Sequence, residues 1–169
     1  MLRLTLPTER DRENVLDLYR EFETSDVTPI GAGNSRDYDA WLRGMENRHT
    51  GTDLPEGYVR ENFYLCYEGE TLCGVFSLKF SLTDFLLNYG GHIGYAVRPS
   101  MQNRGLATEM LREGLRLAKD YGFDRVLCVC DEDNLASEKV ILKNGGVLED
   151  IRYDADEKTN VKRYWISLA

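Results

Sequence analysis

The feature that most constrains the fold is a junction between a strand and a helix in the second half of the chain. Residues 92 to 98 have the composition of a strand, which Pro99 ends because proline has no amide hydrogen for a ladder. After a turn, apolar side chains recur at helical spacing from Leu106 to Ala118, and Gly105 precedes this helix. The first amides of a helix have no intrahelical acceptors, so the junction predicts an anion site.

The segments around this junction carry the same two periodicities. Alternating or short apolar runs predict strands at 2–6, 63–67, 72–80, 125–130, 147–153 and 161–168. Helical spacing predicts helices at 8–22, 38–45 and 134–144. This order predicts an α/β fold, with a mixed sheet and helices on both faces. Gly94, inside the junction strand, is interpreted either as a packing defect or as a bulge that splays the strand and frees its edge.

Length and charge limit the classes of function. The 169 residues fit one compact domain, predicted to span 1–169. A net charge of −8 opposes general binding to nucleic acid or to an anionic membrane, so neither is expected as a partner. An acidic surface would favour a cationic substrate, although many proteins are acidic for solubility alone.

Cysteine usage and the first residues indicate a reducing compartment. Cys66, Cys73, Cys128 and Cys130 show no C-x-x-C spacing, so they are expected to be reduced core residues, and no metal site is predicted. The first residues lack an apolar signal region and the apolar runs are too short for a membrane helix. A cytoplasmic location is the expectation.

Three segments together resemble a known family. Gln102-x-x-Gly105-x-Ala107 resembles the Gln/Arg-x-x-Gly-x-Gly/Ala signature of the GNAT superfamily of acyl-CoA-dependent N-acyltransferases. The strand from His92 resembles the central strand of that superfamily, and the segment Asn134-x-x-Ser137, which continues to Lys-Asn-Gly, resembles its later helix. The resemblance covers residues 91 to 146. It implies the GNAT fold, a mixed and mostly antiparallel central sheet splayed at the cofactor strand, with helices on both faces.

The resemblance also implies acetyl-CoA as cosubstrate and a set of residues that bind it. The main chain of residues 95–97 would pair with the pantetheine arm as an added strand. The amides of residues 103–108 would hold the pyrophosphate, and two side chains of the later helix would face the thioester. The residues expected to bind acetyl-CoA are Tyr95, Ala96, Val97, Gln102, Asn103, Arg104, Gly105, Leu106, Ala107, Thr108, Asn134 and Ser137.

Acyl transfer to an amine needs an oxyanion donor and a way to remove the proton of the amine. The amide of Val97 is the expected oxyanion donor. His92 is the candidate base, because imidazole titrates near neutrality, although a histidine after two glycines is also common as a solvated turn residue. Where some relatives carry a glutamate this chain has Val129, and Glu21 and Glu23 are weaker substitutes.

The leaving thiolate needs a proton donor. Many family members carry a tyrosine where this chain has Ile141, so Ser137 or water takes this role in the prediction. Tyr153 and Tyr164 are better explained as aromatic residues of the last hairpin.

These observations predict an enzyme that acetylates an amine of a small molecule or a peptide. Three alternatives stay open: a protein acetyltransferase acting on a lysine or an N-terminus, a non-catalytic acyl-CoA sensor, and a nucleotide-binding protein. The last ranks lowest because the phosphate-loop lysine is absent. The sequence leaves open the amine, the oligomeric state with a homodimer among the options, and the role of residues 24–61.

Overall fold

A computed structural model describes residues 1–33 and 35–169. The helices are α1 (Arg12–Glu23), α2 (Tyr38–Thr50), α3 (Leu106–Asp120) and α4 (Leu135–Lys143). The strands are β1 (Leu2–Thr5), β2 (Glu61–Glu68), β3 (Thr71–Lys79), β4 (Ile93–Val97), β5 (Arg125–Asp131), β6 (Val147–Asp154) and β7 (Thr159–Ser167). Short 3-10 turns lie at Glu9–Asp11 and Pro99–Met101.

The strands form two antiparallel sheets that separate at β4. One sheet has the order β1-β2-β3-β4 and the other the order β5-β7-β6. The amide of His92, just before β4, donates to the carbonyl of Leu127 in β5 at 2.8 Å. Beyond this contact β4 and β5 do not pair, so the β4 edge facing β5 is open. The predicted α/β fold, splayed at the cofactor strand, is confirmed.

The open edge does not come from a bulge at Gly94. β3 and β4 pair in regular register, with Gly94 opposite Ser77. The register shifts instead between Cys66 and Tyr67 in β2 and between Leu148 and Asp150 in β6. The bulge interpretation of Gly94 is therefore wrong, and the edge is free because β5 turns away to pair with β7.

Two hydrophobic clusters cover the two faces of the first sheet. The cluster under α1 and α2 includes Val15, Leu18 and Trp41. The cluster under α3 includes Met110 and Leu111 and contains residues of both sheets, so it holds them together. All four cysteines are buried, as the core-packing interpretation predicts. In the described residues, no helix combines the length and the apolar character that crossing a bilayer requires.

Ion pairs fix α1 against the end of β4. Arg98 follows β4 and donates from Nε to Glu21 of α1 at 2.6 Å, and its guanidinium also contacts Asp17. Glu21 in turn accepts a hydrogen bond of 2.7 Å from the amide of Ser100. These contacts orient the turn that leads into α3. A π-helical turn at Leu86–Gly90 has no counterpart in the predicted elements.

Candidate active site

A cavity of about 910 Å³ opens where β4 and β5 separate. Its walls come from the main chain of β4, the start of α3, the end of β5 and the first turns of α4. Eleven of the twelve residues predicted to bind acetyl-CoA line it: Tyr95, Ala96, Val97, Gln102, Asn103, Gly105, Leu106, Ala107, Thr108, Asn134 and Ser137. Arg104 points elsewhere, and its guanidinium pairs with Glu68 at 3.0 Å.

The main chain of β4 presents alternate residues to the cavity. The amide of Lys79 donates to His92 and the amide of Arg98 donates to Cys73, so even-numbered residues of this strand form the hydrogen-bonded pairs with β3. Tyr95 and Val97 therefore direct their amides and carbonyls towards the open edge. Ala96 pairs with Val75 of β3. The prediction that the Ala96 main chain lies at the free edge is wrong, although the residue lines the cavity.

The start of α3 has the geometry of an anion site. Asn103 and Gly105 have positive φ angles of 62° and 79°, which turn the chain sharply into the helix. In the described chain, the amides of residues 103–108 donate no hydrogen bond. Gly105 lines the cavity, and a Cβ there would have no atom within 4 Å, so the space beside this residue is open. Six unpaired donors and the positive end of the helix dipole suit a phosphate group.

Two hydroxyl groups meet across the cavity between β4 and α4. The Tyr95 hydroxyl and the Ser137 hydroxyl lie 2.7 Å apart, and either can donate to the other. Burial raises the pKa of Tyr95, so its hydroxyl keeps its proton. Asn134 caps α4 by accepting from the amide of Ser137 at 3.1 Å. The sequence did not indicate a role for the Tyr95 side chain, because its partner lies 42 residues away.

Ile141 does not face the cavity. It is 1% exposed and belongs to the hydrophobic cluster under α3. Ser137 and Val140 of the same helix line the cavity instead. Ile141 therefore lies on a different face of α4 from Ser137, and the position where many family members carry a tyrosine belongs to the core in this chain. A tyrosine there would have to displace core atoms, because the Ile141 side chain already packs against Gly146.

His92 sits in a packed environment between the two sheets. Its side chain is 8% exposed, and its Nδ1 accepts a hydrogen bond of 2.9 Å from the amide of Leu127. The ring packs edge-on against Phe123 and Trp165. Burial, with a smaller contribution from the charge of Lys79, lowers the pKa of His92 to about 4. This environment favours a structural role, and the role of His92 as a base stays a prediction.

The other candidate acid–base groups are engaged elsewhere. Glu21 is partly buried, which alone would raise its pKa, but hydrogen bonds from Ser100 and Arg98 lower it below its ordinary value. Glu23 pairs with Arg36 at 2.7 Å. The Tyr164 hydroxyl donates to Glu138 at 2.7 Å, and Tyr153 is exposed on β6. These contacts leave the proton of the amine to water or to a group outside this set.

The far end of the cavity was not predicted. It is lined by Val27 and Ile30 from the segment after α1, by Lys79 at the end of β3, by Gly90, and by Val129 of β5. Lys79 is the one charged residue of the predicted strand 72–80, but no local pattern shows that its side chain faces the cavity. Val129, noted as a replacement for a glutamate, forms part of this apolar wall.

Comparison with protein families gives one match along most of the chain. The model of a family described as acetyltransferase (GNAT) domain matches residues 1–147. No curated protein matches the sequence.

Solved structures share the fold at low sequence identity. The microcin self-immunity acetyltransferase MccE, in complex with acetyl-CoA and AMP, is 20% identical with a TM-score of 0.72 over 98% of this chain and 92% of that chain. RimL, a ribosomal alpha-N-protein acetyltransferase in complex with coenzyme A, is 21% identical with a TM-score of 0.73, and the match covers 98% of this chain and 93% of that chain. YncA from Salmonella typhimurium, a putative acetyltransferase with acetyl-CoA, is 15% identical with a TM-score of 0.67, and the match covers 99% of this chain and 94% of that chain.

Proposed function

The chain belongs to the GNAT acetyltransferase family, and we propose that it transfers the acetyl group of acetyl-CoA to an amine of a small molecule or a peptide by direct attack on the thioester. Family membership makes it an acetyl-CoA-dependent N-acetyltransferase. The observation that carries the proposal is the cavity that joins the unpaired amides of α3 to the open edge of β4. Structural neighbours that contain acetyl-CoA or coenzyme A support the same cosubstrate.

The residues of the cavity fit acetyl-CoA at three places. The amides of residues 103–108 would hold its pyrophosphate, because they are unpaired donors at a helix start. The amide and carbonyl of Tyr95 would pair with the amide groups of the pantetheine arm, while the Val97 carbonyl already accepts a hydrogen bond of 3.4 Å from the Gln102 side chain. Ser137 would face the sulfur. The bound cosubstrate would supply a thioester carbonyl, whose carbon accepts the nitrogen of the amine.

Two groups of the chain would act on the charges that develop during transfer. The amide of Val97 would donate to the carbonyl oxygen as it becomes negative. The Ser137 hydroxyl would donate to the sulfur as the carbon–sulfur bond breaks, and the Tyr95 hydroxyl would orient it. The raised pKa of Tyr95 means that the phenol would orient Ser137 rather than give up its proton. The proton lost by the amine would pass to water or, in the prediction that stays open, to His92.

Two alternatives to this function can be distinguished from it by one experiment. An acyl-CoA sensor would bind the cosubstrate without transferring its acetyl group, and Ile141 and Val129 motivate this alternative. A protein acetyltransferase would prefer a peptide or an intact protein, and RimL, one of the structural neighbours, has that activity.

A panel of amines incubated with acetyl-CoA, while free thiol is monitored, tests the proposal. We expect thiol release with at least one small amine or peptide, and the acetylated product should be identified by mass spectrometry. Release with peptides alone would favour the protein acetyltransferase. Acetyl-CoA binding without thiol release from any amine would contradict the enzyme and favour the sensor.

A further inference from the structure

Lys79 stands at the end of the cavity opposite the start of α3. It is the last residue of β3, and its amide donates to His92 just before β4 begins. The α3 amides lie beyond the other end of β4. Five residues of strand separate the two levels by about 17 Å. A group bound at Lys79 is therefore too far away to be the pyrophosphate held at α3.

Among the residues that the structure describes, the ammonium group of Lys79 forms no ion pair with a carboxylate. In this part of the chain, the Lys79 ammonium group contacts the Ser77 hydroxyl at 3.5 Å, and no carboxylate oxygen lies within 4.0 Å of its nitrogen. The nearby carboxylate of Glu61 is buried and lies 3.8 Å from Arg48. Glu61 lies opposite Lys79 in the ladder of β2 and β3 and stands beside two cations, Lys79 and Arg48, so one carboxylate does not neutralise both.

The surroundings make this excess charge costly. Lys79 is partly buried, and the cavity beside it is lined by Val27, Ile30, Ile93 and Val129. Burial lowers the pKa of Lys79, and the charge of the nearby Glu61 offsets this only in part. A cation in such a position is normally paired, so its missing partner is expected to come from a ligand.

We propose that Lys79 binds an anionic oxygen group, a carboxylate or a phosphate, on the molecule whose amine is acetylated. This inference rests on the proposed function, because it assumes that the acceptor enters beyond the thioester. It narrows the substrate class to small amines that carry an anionic group, of which amino acids are the simplest. The acidic net charge of the chain does not oppose this, because the local charge at Lys79 is positive.

Matched acceptors test the inference on the wild-type protein. Each amine is offered in three forms that differ in one group: the carboxylate, the neutral carboxamide and the phosphate ester. We expect kcat/KM for at least one anionic form to exceed that of its carboxamide by about tenfold or more, since a charge-assisted hydrogen bond is lost in the neutral form. The carboxylate and phosphate forms identify which anion fits.

Variants show whether Lys79 causes the preference. Lys79→Met should abolish the preference by raising KM for the anionic form, and Lys79→Arg should keep most of it. Lys119→Met removes the same charge from the exposed end of α3 and should leave kcat/KM unchanged for both the anionic and the neutral acceptor. If Lys79→Met instead lowers kcat equally on charged and neutral acceptors, the lysine takes the proton of the amine and the inference is overturned.

The outcomes separate this inference from the proposed function. Thiol release from amines without any preference for an anionic group overturns the inference and leaves the acetyltransferase intact. A preference for peptides over all small acceptors also overturns it. Absence of thiol release from every amine contradicts the proposed function and, with it, the inference. Because the comparison of acceptors uses the wild type, misfolding of a variant cannot hide the result.

Discussion

His92 shows how one contact can redirect the interpretation of a residue. Its type and position suggest a base, but in the structure its Nδ1 accepts a hydrogen bond from the amide of Leu127 and its ring is packed against Phe123. A ring held neutral in this way links folding to pH. In the folded chain the pKa of His92 is lowered from 6.5 to about 4, so the unfolded chain takes up a proton first as the pH falls.

We therefore expect His92 to make the protein less stable in mild acid. The free energy of unfolding should fall by about 2 kcal/mol between about pH 7.5 and about pH 5, a loss that begins near the unfolded pKa and continues towards the folded one. Urea unfolding of the wild type and of His92→Gln measures it. In the variant, the free energy of unfolding should lose this dependence on pH. An unchanged slope, together with a loss of turnover near 10²-fold in the folded variant, would favour the role as a base.

Ser137 carries a prediction about the leaving group. Ser137→Ala should lower kcat by about tenfold while KM for acetyl-CoA changes little, because the hydroxyl acts mainly on the charge that develops on sulfur. The cap of α4 survives, since Asn134 accepts from the main-chain amide of residue 137. Tyr95→Phe is the matched variant that keeps the serine and removes its hydroxyl partner, and kcat should fall less in Tyr95→Phe than in Ser137→Ala. Unchanged kcat in Ser137→Ala would mean that water, and not the serine hydroxyl, stabilises the departing thiolate.

Single residues were positioned best where the start of a helix alone determines the course of the main chain. Gly105 and the amides after it follow from the helix start alone, which the spacing of apolar residues places correctly. Ile141 and Lys79 depend on which side of an element faces the cavity, and that follows from packing between distant segments. The link between Tyr95 and Ser137 is of the same kind. No local pattern in the sequence contains this information.

The start of α3 is the element on which cosubstrate binding depends. Gly105→Val should weaken acetyl-CoA binding by at least about 1 kcal/mol, because it adds a branched side chain to the wall of the cavity where the phosphates are expected. It also forces a branched residue to a φ of 79°, which costs stability by itself.

Gly122 supplies the control for that substitution. It lies just after the other end of α3, has a φ of 91°, and likewise has no atom within 4 Å of an added Cβ. Gly122→Val should cost similar stability, about 1–2 kcal/mol, without changing the affinity for acetyl-CoA. Calorimetric titration of both variants with acetyl-CoA decides the matter. Equal affinities would place the phosphates elsewhere.

At the same scale, the distribution of apolar residues predicted the four α-helices and the seven strands, although α1 begins four residues later and α2 ends five residues later than predicted. α3 and the hairpin of β2 and β3 were predicted best, because their apolar spacing is long and regular. The turn at Leu86–Gly90 was missed, since a π-helical turn has no periodicity of its own in a short apolar segment. The open edge of β4 was predicted from the wrong cause, because strand pairing between β5 and β7 is a long-range property.

The whole molecule raises the question of whether its two sheets unfold together. The chain was predicted to be one domain, and the cluster under α3 contains residues of both sheets. We expect a single unfolding transition, because separating the sheets would expose that cluster to water. The two tryptophans report on the two halves, since Trp41 packs against the first sheet and Trp165 lies in β7.

Single-tryptophan variants measure this directly. Trp165→Phe keeps the probe of the first sheet and Trp41→Phe keeps the probe of the second. Within each variant, the fluorescence transition in urea should coincide with the loss of helical circular dichroism. Two separated transitions within one variant would show that the halves unfold independently, and the prediction of one domain would be wrong.

The central claim is that acetyl-CoA binds in the cavity with its phosphates at the start of α3 and its arm along β4. Amide hydrogen exchange at saturating acetyl-CoA tests it most directly, because the claim assigns individual amides. We expect slower exchange at residues 103–108 and at Tyr95 and Val97, with little change at residues 119–122 at the far end of the helix. Unchanged exchange at residues 103–108 would contradict the account.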